Sequence, residues 1–102
     1  MPSDQFLTTL YIELAAAYNM NGRADTALVL LLSAYEGSPK NNNLAFKIAY
    51  QYDYYLRKPQ EALPYYKIFI RDRKETGEVV SNNPQEISYS EYARNRIKEI
   101  SR

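Results

Sequence analysis

The sequence predicts an all-α domain built from about five helices. Apolar residues recur at intervals of three and four along most of the chain, which is typical of helices with one buried face. Gly, Asn and Pro separate these segments. The pattern of the first two segments also returns about 34 residues later, which indicates a helical repeat. With 102 residues, 45% of them hydrophobic and 25% charged, the chain has the size and composition of a single globular domain.

The first two segments predict a helical hairpin. The first helix is expected near residues 4–20, and Gly22 ends it because glycine tolerates positive φ. Its predicted buried face consists of Leu7, Leu10, Tyr11, Leu14, Ala15 and Tyr18. The second helix is expected near residues 25–36, with Asp25 as its N-cap and Pro39 just after its end.

A second hairpin is expected from helices near residues 43–56 and 60–73. The first of these helices has Ala45, Ile48, Ala49 and Tyr52 on one face. Pro59 suits the first position of the following helix, where its missing N–H costs nothing. Pro64 lies near the first turn of that helix, so we expect a slight bend without a break.

The polar segment 75–86 is expected to be a loop, followed by a C-terminal helix in the segment 87–102, near residues 89–100. Ser88 and Glu91 have the spacing of a capping box, which predicts the start of this helix. The helix would be either half of a third hairpin or a polar-faced cap on the stack, and we favour the cap.

The first hairpin resembles a unit of the tetratricopeptide repeat (TPR) family. The matching positions are Tyr11, Leu14, Ala15, Tyr18, Gly22, Ala27, Ala34 and Pro39. The second hairpin keeps Ile48, Ala49, Tyr52 and Ala62 but lacks the turn glycine and the terminal proline. The resemblance covers roughly residues 8–73, with unit one near 8–41 and unit two near 42–74. It implies a right-handed solenoid of helical hairpins within one domain, 1–102.

The offset between the two units changes along the chain. Ile48 follows Leu14 by 34 positions, whereas Ala62 follows Ala27 by 35. We therefore expect one inserted residue in the turn of the second hairpin. We also expect Ala27 and Ala62 to be buried where helices cross, because small residues allow close packing.

The residue types present argue against an enzyme. The chain has no cysteine and no histidine, so it lacks a thiolate nucleophile and the commonest general base and metal ligand. Its carboxylates form no catalytic constellation, and no phosphate-binding loop occurs. We expect no cofactor and no bound metal.

Charge and hydropathy limit the partners. The net charge of +1 and the mixture of both signs argue against nucleic acid as a partner. No apolar run is long enough for membrane insertion. No signal peptide is recognisable, which leaves the compartment open and favours the cytoplasm.

The resemblance implies a function in protein–protein interaction. In that family the first helix of each unit lines a concave groove that binds a peptide or protein segment. By position, the groove residues would be Ile12, Ala16, Asn19, Met20, Phe46, Lys47, Tyr50, Asp53 and Tyr54. The alternative for Phe46 and Tyr50 is burial beneath the last helix. The partner itself is not identified by the sequence.

A second function remains open, in which the chain is a self-associating structural module. It would then be an end-to-end homo-oligomer or part of a longer array, because two units leave apolar ends uncovered.

Overall fold

The computed structural model describes residues 4–75 and 84–102. The elements in chain order are α1 (Asp4–Met20), α2 (Ala24–Gly37), α3 (Asn42–Tyr50), a π-helical turn (Gln51–Tyr55), α4 (Pro59–Glu75) and α5 (Pro84–Ile100). Within these two ranges there are five α-helices and no strand, which confirms the all-α prediction. None of the helices described is long and apolar enough to cross a bilayer.

Helices α1 and α2 form an antiparallel hairpin. At one end, the hydroxyls of Thr8 in α1 and Ser38 after α2 are hydrogen-bonded at 2.9 Å. At the other end, only residues 21–23 connect the helices, and Gly22 has a φ of 75°. A glycine in this left-handed conformation is a common helix end, as expected from the sequence.

Helix α3, the π-helical turn and α4 form a second antiparallel hairpin. The side-chain amide of Asn42, at the start of α3, donates to the backbone oxygen of Phe69, late in α4, at 3.1 Å. At the closed end Arg57 has a φ of 58°, although it has a Cβ. Helix α4 begins at Pro59 and continues through Pro64 without a break, as predicted.

The two hairpins are closed by corresponding backbone hydrogen bonds. The N–H of Arg23 donates to the oxygen of Tyr18 at 2.8 Å, and the N–H of Lys58 donates to the oxygen of Tyr52 at 2.7 Å. The second closure contains one more residue than the first. We expected this residue in the turn, but the structure accommodates it within the helix as the π-helical turn, which holds an extra residue per turn.

Helix α3 lies at the centre of the molecule and contributes to two apolar clusters. Leu44 and Ile48 pack with the buried face of α2, which includes Leu31. Ala45, Phe46 and Ala49 pack instead with α4 and α5. Ala27 and Ala62 are both 0% exposed, which confirms their predicted burial. Their small side chains let α2 and α4 approach their neighbours closely.

The predicted buried face of α1 is only partly correct. Ala15 is buried and Tyr11 is half-buried, but Leu7, Leu10 and Leu14 are 37%, 40% and 39% exposed. The physical reason is that the other described helices cover one side of α1 and leave the side bearing the three leucines open.

The predicted N-cap of α2 and the predicted start of α5 are wrong. Helix α2 begins at Ala24, and Asp25 lies in its first turn with its carboxylate accepting from the N–H of Thr26 at 2.8 Å. Helix α5 begins at Pro84, so Ser88 lies inside the helix and the predicted capping box is not its start. Proline at the first turn explains the earlier start, because its φ is already helical. The expected loop 75–86 falls largely on 76–83, outside the described residues; 75 and 84–86 are helical.

Candidate functional site

An open cleft of about 690 Å³ lies between α1, α3 and α5. Its described lining consists of Ile12, Ala15, Ala16, Asn19, Met20, Leu31, Phe46, Lys47, Tyr50, Gln51, Tyr55, Tyr89 and Tyr92. The volume is within the range of about 300–1,000 Å³ that is typical of ligand-binding clefts. We call this feature the central cleft.

The structure brings together seven of the nine residues predicted from the sequence. These are Ile12, Ala16, Asn19, Met20, Phe46, Lys47 and Tyr50. Asp53 and Tyr54 do not line the central cleft. The first helices of the two hairpins therefore face each other across a common space, and α5 closes one end of it.

The α1 wall of the cleft includes residues that are open to solvent. Ala16 is exposed, Met20 is 87% exposed, and Ile12 is half-buried. Because Ala16 has a small side chain, it leaves space opposite the aromatic residues of α3. An 87% exposed methionine contributes little to folding, and its flexible thioether adapts to different contacts.

The opposite wall is a column of stacked aromatic rings. The rings of Tyr89 and Phe46 are 4.5 Å apart with 17° between their planes, and those of Phe46 and Tyr50 are 6.1 Å apart at 17°. Tyr54 extends the column, 5.0 Å from Tyr50 at 9°. Phe46 is only 6% exposed, so its expected exposure in the groove is wrong. Tyr89 of α5 covers it, which is the alternative left open by the sequence.

The π-helical turn determines which tyrosine reaches the cleft. In a regular α-helix the residue four positions after Tyr50 would return to the same face. The π turn inserts one residue, so the fifth residue, Tyr55, lines the cleft instead of Tyr54. The ring of Tyr55 meets that of Tyr50 edge to face, with centroids 5.9 Å apart. Tyr54 is 54% exposed beside it.

A hydrogen-bonded pair of amide side chains, Asn19 and Gln51, lies at the floor of the cleft. Asn19 of α1 donates to Gln51 at 2.9 Å, and Gln51 donates back to Asn19 at 2.8 Å. Gln51 also donates to the backbone oxygen of Ala24 at 2.9 Å and is 2% exposed. These three hydrogen bonds connect both helices of the first hairpin to the second, so they fix the width of the cleft.

A second polar connection links the second hairpin to α5. Asp53 accepts two hydrogen bonds from the guanidinium of Arg96, at 2.7 and 2.9 Å, and one from the hydroxyl of Tyr66 at 2.9 Å. The Asp53 side chain is 8% exposed. The predicted groove carboxylate is therefore occupied in holding α5 in place and is not presented to a ligand in the cleft.

Two tyrosines of the cleft, Tyr50 and Tyr92, are held in the neutral form by their surroundings. Burial is the main cause that raises the pKa of Tyr50 and of Tyr92 above the usual value of 10.0. Neighbouring tyrosines add to the effect on Tyr50, and the Asp53 carboxylate adds to that on Tyr92. Lys47 is the one charged side chain in the described lining, so the cleft combines an aromatic wall with a single cation.

Six lining residues were not among those predicted. They are Ala15, Leu31, Gln51, Tyr55, Tyr89 and Tyr92. Tyr89 and Tyr92 belong to the last helix, and only the docking of α5 beside α3 brings them to the cleft. The sequence contained one indication of Tyr55, namely the offset of 35 positions, and not 34, between Ala27 and Ala62. An extra residue within the helix changes which of the following residues faces inward.

The described residues contain no group of three or more Asp, Glu, His or Cys placed to hold a metal ion. A scan of protein-family models, a search of curated proteins and a search of solved structures each found no match to this chain.

Proposed function

We propose that this chain is a TPR-like interaction domain that binds a peptide or protein segment in the central cleft. The observation that supports this best is the pairing of an open wall, formed by Ala16 and Met20, with a wall of ordered aromatic rings. The corresponding closures of the two hairpins, at Gly22 and Arg57, support the assignment to a repeat architecture.

The aromatic wall suits an interface anchor. Tyr50 and Tyr55 are partly exposed in the cleft, while ring contacts on several sides restrict their rotamers. Ordered tyrosines lose little conformational entropy on binding and bury a large area, so they are enriched at binding hot spots. The space opposite, above Ala16, accommodates an apolar side chain of the partner.

Charge further restricts the segment that would bind. Lys47 supplies the only charge in the described lining, and the pKa of Tyr50 is raised by burial. A basic segment would meet a lysine and no carboxylate in this lining. We therefore propose a segment that is apolar and either neutral or weakly acidic.

Binding accounts for the lining better than catalysis does. The described lining contains no carboxylate, thiol, imidazole or aliphatic hydroxyl. A tyrosine whose pKa is raised is a poorer general base than an ordinary one, because less of it is ionised near neutral pH. The side chains that line the cleft are therefore suited to contacts with a bound partner and not to a catalytic reaction.

Selection from a random peptide display library tests this proposal. Peptides selected on the wild-type chain should bind it measurably by fluorescence polarisation. Ala16→Phe fills the cleft from its exposed wall and should reduce their affinity at least tenfold, which corresponds to about 1.4 kcal/mol. Met20→Glu places an unpaired carboxylate in the same wall and should weaken binding to apolar or acidic peptides.

Val29→Glu is the matched control for the test. Val29 is 61% exposed and lies on the side of α2 opposite its buried residues, so it is an exposed apolar residue like Met20 but is not part of the cleft lining. It should leave peptide affinity unchanged. Selected peptides that bind Ala16→Phe as tightly as wild type would show that the central cleft is not the binding site.

A further inference from the structure

Helix α1 has an apolar strip on the side away from the central cleft. The strip consists of Leu7, Leu10, Leu14 and Ala17, which we call the α1 seam. The three leucines are 37–40% exposed and Ala17 is exposed. Their spacing of three, four and three residues is that of the apolar positions along one strand of a coiled coil, which pack against another helix. No charged residue occupies any of these four positions.

The second hairpin shows what covers this face of a helix. Leu44 and Ile48 lie 34 positions after Leu10 and Leu14, and both are 0% exposed. They are buried because α2 of the preceding hairpin packs across them, in the cluster that includes Leu31. In α1 the corresponding leucines have no such helix among the described residues. The seam therefore has the chemistry of a helix-packing surface.

The opposite end of the molecule is not complementary to the seam. The outer side of α5 presents Glu91, Arg94, Asn95 and Lys98, all of which are exposed. Head-to-tail stacking would place these groups against leucines and would remove their charges from water, which is unfavourable. Of these two described surfaces, a second α1 seam is the one that is complementary to the α1 seam.

We infer that the α1 seam is the interface of a head-to-head homodimer, in which it packs against the α1 seam of a second copy of this chain. Such a contact is isologous and closes on itself, so it forms pairs and not filaments. The seam spans three helical turns, which is a small interface, and the association should be weak and concentration-dependent.

This inference is independent of the peptide-binding proposal. Ala16 and Ile12, which line the cleft, lie on a different side of α1 from Leu10 and Leu14, as the helical period of 3.6 requires. A dimer joined through the seam would leave both clefts open. A variant that no longer dimerises should still bind peptide, and a variant that no longer binds peptide should still dimerise.

Sedimentation equilibrium of the 102-residue chain tests the inference. The mass should rise from one chain toward two between roughly 10 µM and 1 mM, the range expected for a small interface. Leu10→Lys should weaken the dimer about a hundredfold, because each copy contributes about a tenfold loss to an isologous contact. Val29→Lys changes a more exposed apolar residue outside the seam and should dimerise like wild type.

A second variant tests whether misfolding could explain the weaker dimerisation of Leu10→Lys. Ala17→Lys changes an exposed residue at the end of the seam and should also weaken the dimer, with helical content unchanged by circular dichroism. A wild-type mass of one chain at 1 mM would overturn the inference. Dimerisation of Leu10→Lys as tight as that of wild type would overturn it as well.

Discussion

Gly22 and Arg57 occupy corresponding places at the closed ends of the two hairpins, and both have a left-handed backbone, with φ of 75° and 58°. In each hairpin the next residue donates its N–H to a tyrosine carbonyl one turn back, Tyr18 in the first and Tyr52 in the second. Glycine adopts this conformation without strain, whereas a residue with a Cβ is held in it at a cost. The second hairpin is thus closed by the same geometry with a less suitable residue.

Exchanging the residue types at these two places should change stability in opposite directions. Arg57→Gly should raise the free energy of unfolding by up to about 1 kcal/mol by relieving the left-handed strain. Gly22→Ala should lower it by about 1 kcal/mol. A Cβ at Gly22 would have no atom within 4 Å, so this loss would come from the backbone alone. Urea denaturation measures both values. A destabilised Arg57→Gly variant would show that the arginine side chain contributes more than its backbone costs.

The helices were predictable because each has a periodic apolar face with a glycine, asparagine or proline beside it. Asn41 illustrates this, since its side chain accepts from the N–H of Leu44 at 3.4 Å as a cap of α3. The start of α5 was misplaced because the capping-box pattern at Ser88 and Glu91 is local, whereas the helix extends further, to Pro84.

The cleft was predictable only in part, because its lining depends on how the helices dock. The helical period was enough to predict which residues of α1 and α3 face the groove, and most of the predicted residues line the cleft. Tyr55 depends on the π-helical turn, and Tyr89 depends on the placement of α5 beside Phe46. Asp53 was predicted to lie in the groove because nothing in the sequence indicates that Arg96, 43 positions later, is its partner.

Substitution of Asp53 should destabilise the docking of α5. Asp53→Ala leaves the Arg96 guanidinium without its bidentate partner and removes the acceptor of the Tyr66 hydroxyl. We expect a loss of about 2–3 kcal/mol in the free energy of unfolding, reduced from the buried-pair range because Arg96 is partly exposed. Glu99→Ala, which removes the 59% exposed second partner of Arg96, is the control and should cost under about 0.5 kcal/mol. Equal losses in the two variants would contradict this account.

The fold should lose stability in alkaline solution because of Tyr66. Burial and the hydrogen bond to Asp53 raise the pKa of the Tyr66 phenol above its usual value of 10.0. Above about pH 10 the unfolded chain releases this proton while the folded chain retains it, so the folded state becomes less favoured as pH rises. Below that pH Tyr66 is protonated in both the folded and the unfolded state, so its full contribution to the stability of the fold is retained.

Tyr66→Phe separates this effect from the ionisation of the other tyrosines. The variant should lose about 1.5 kcal/mol at neutral pH, because a hydrogen bond to a charged acceptor is removed. Its stability should fall less steeply than that of wild type above about pH 10. Thermal melting followed by circular dichroism between neutral pH and pH 11 measures both slopes. Parallel slopes would show that Tyr66 is not the group responsible.

Tyr50→Ala should weaken peptide binding by more than it lowers the free energy of unfolding. This difference would identify the ring as an interface anchor and not as a core residue. Tyr50 is half-buried, stacks on Phe46 and Tyr54, and also faces the central cleft. Removal of an interface anchor typically weakens binding by about 1–3 kcal/mol. The loss in folding free energy should be smaller than this, because part of the ring is already in contact with water. Tyr50→Phe keeps the stacked ring and should retain most of both properties, which makes it the control for the phenol group. A large loss of stability with unchanged affinity for the selected peptides would assign Tyr50 to the core, and binding would then have to involve another surface.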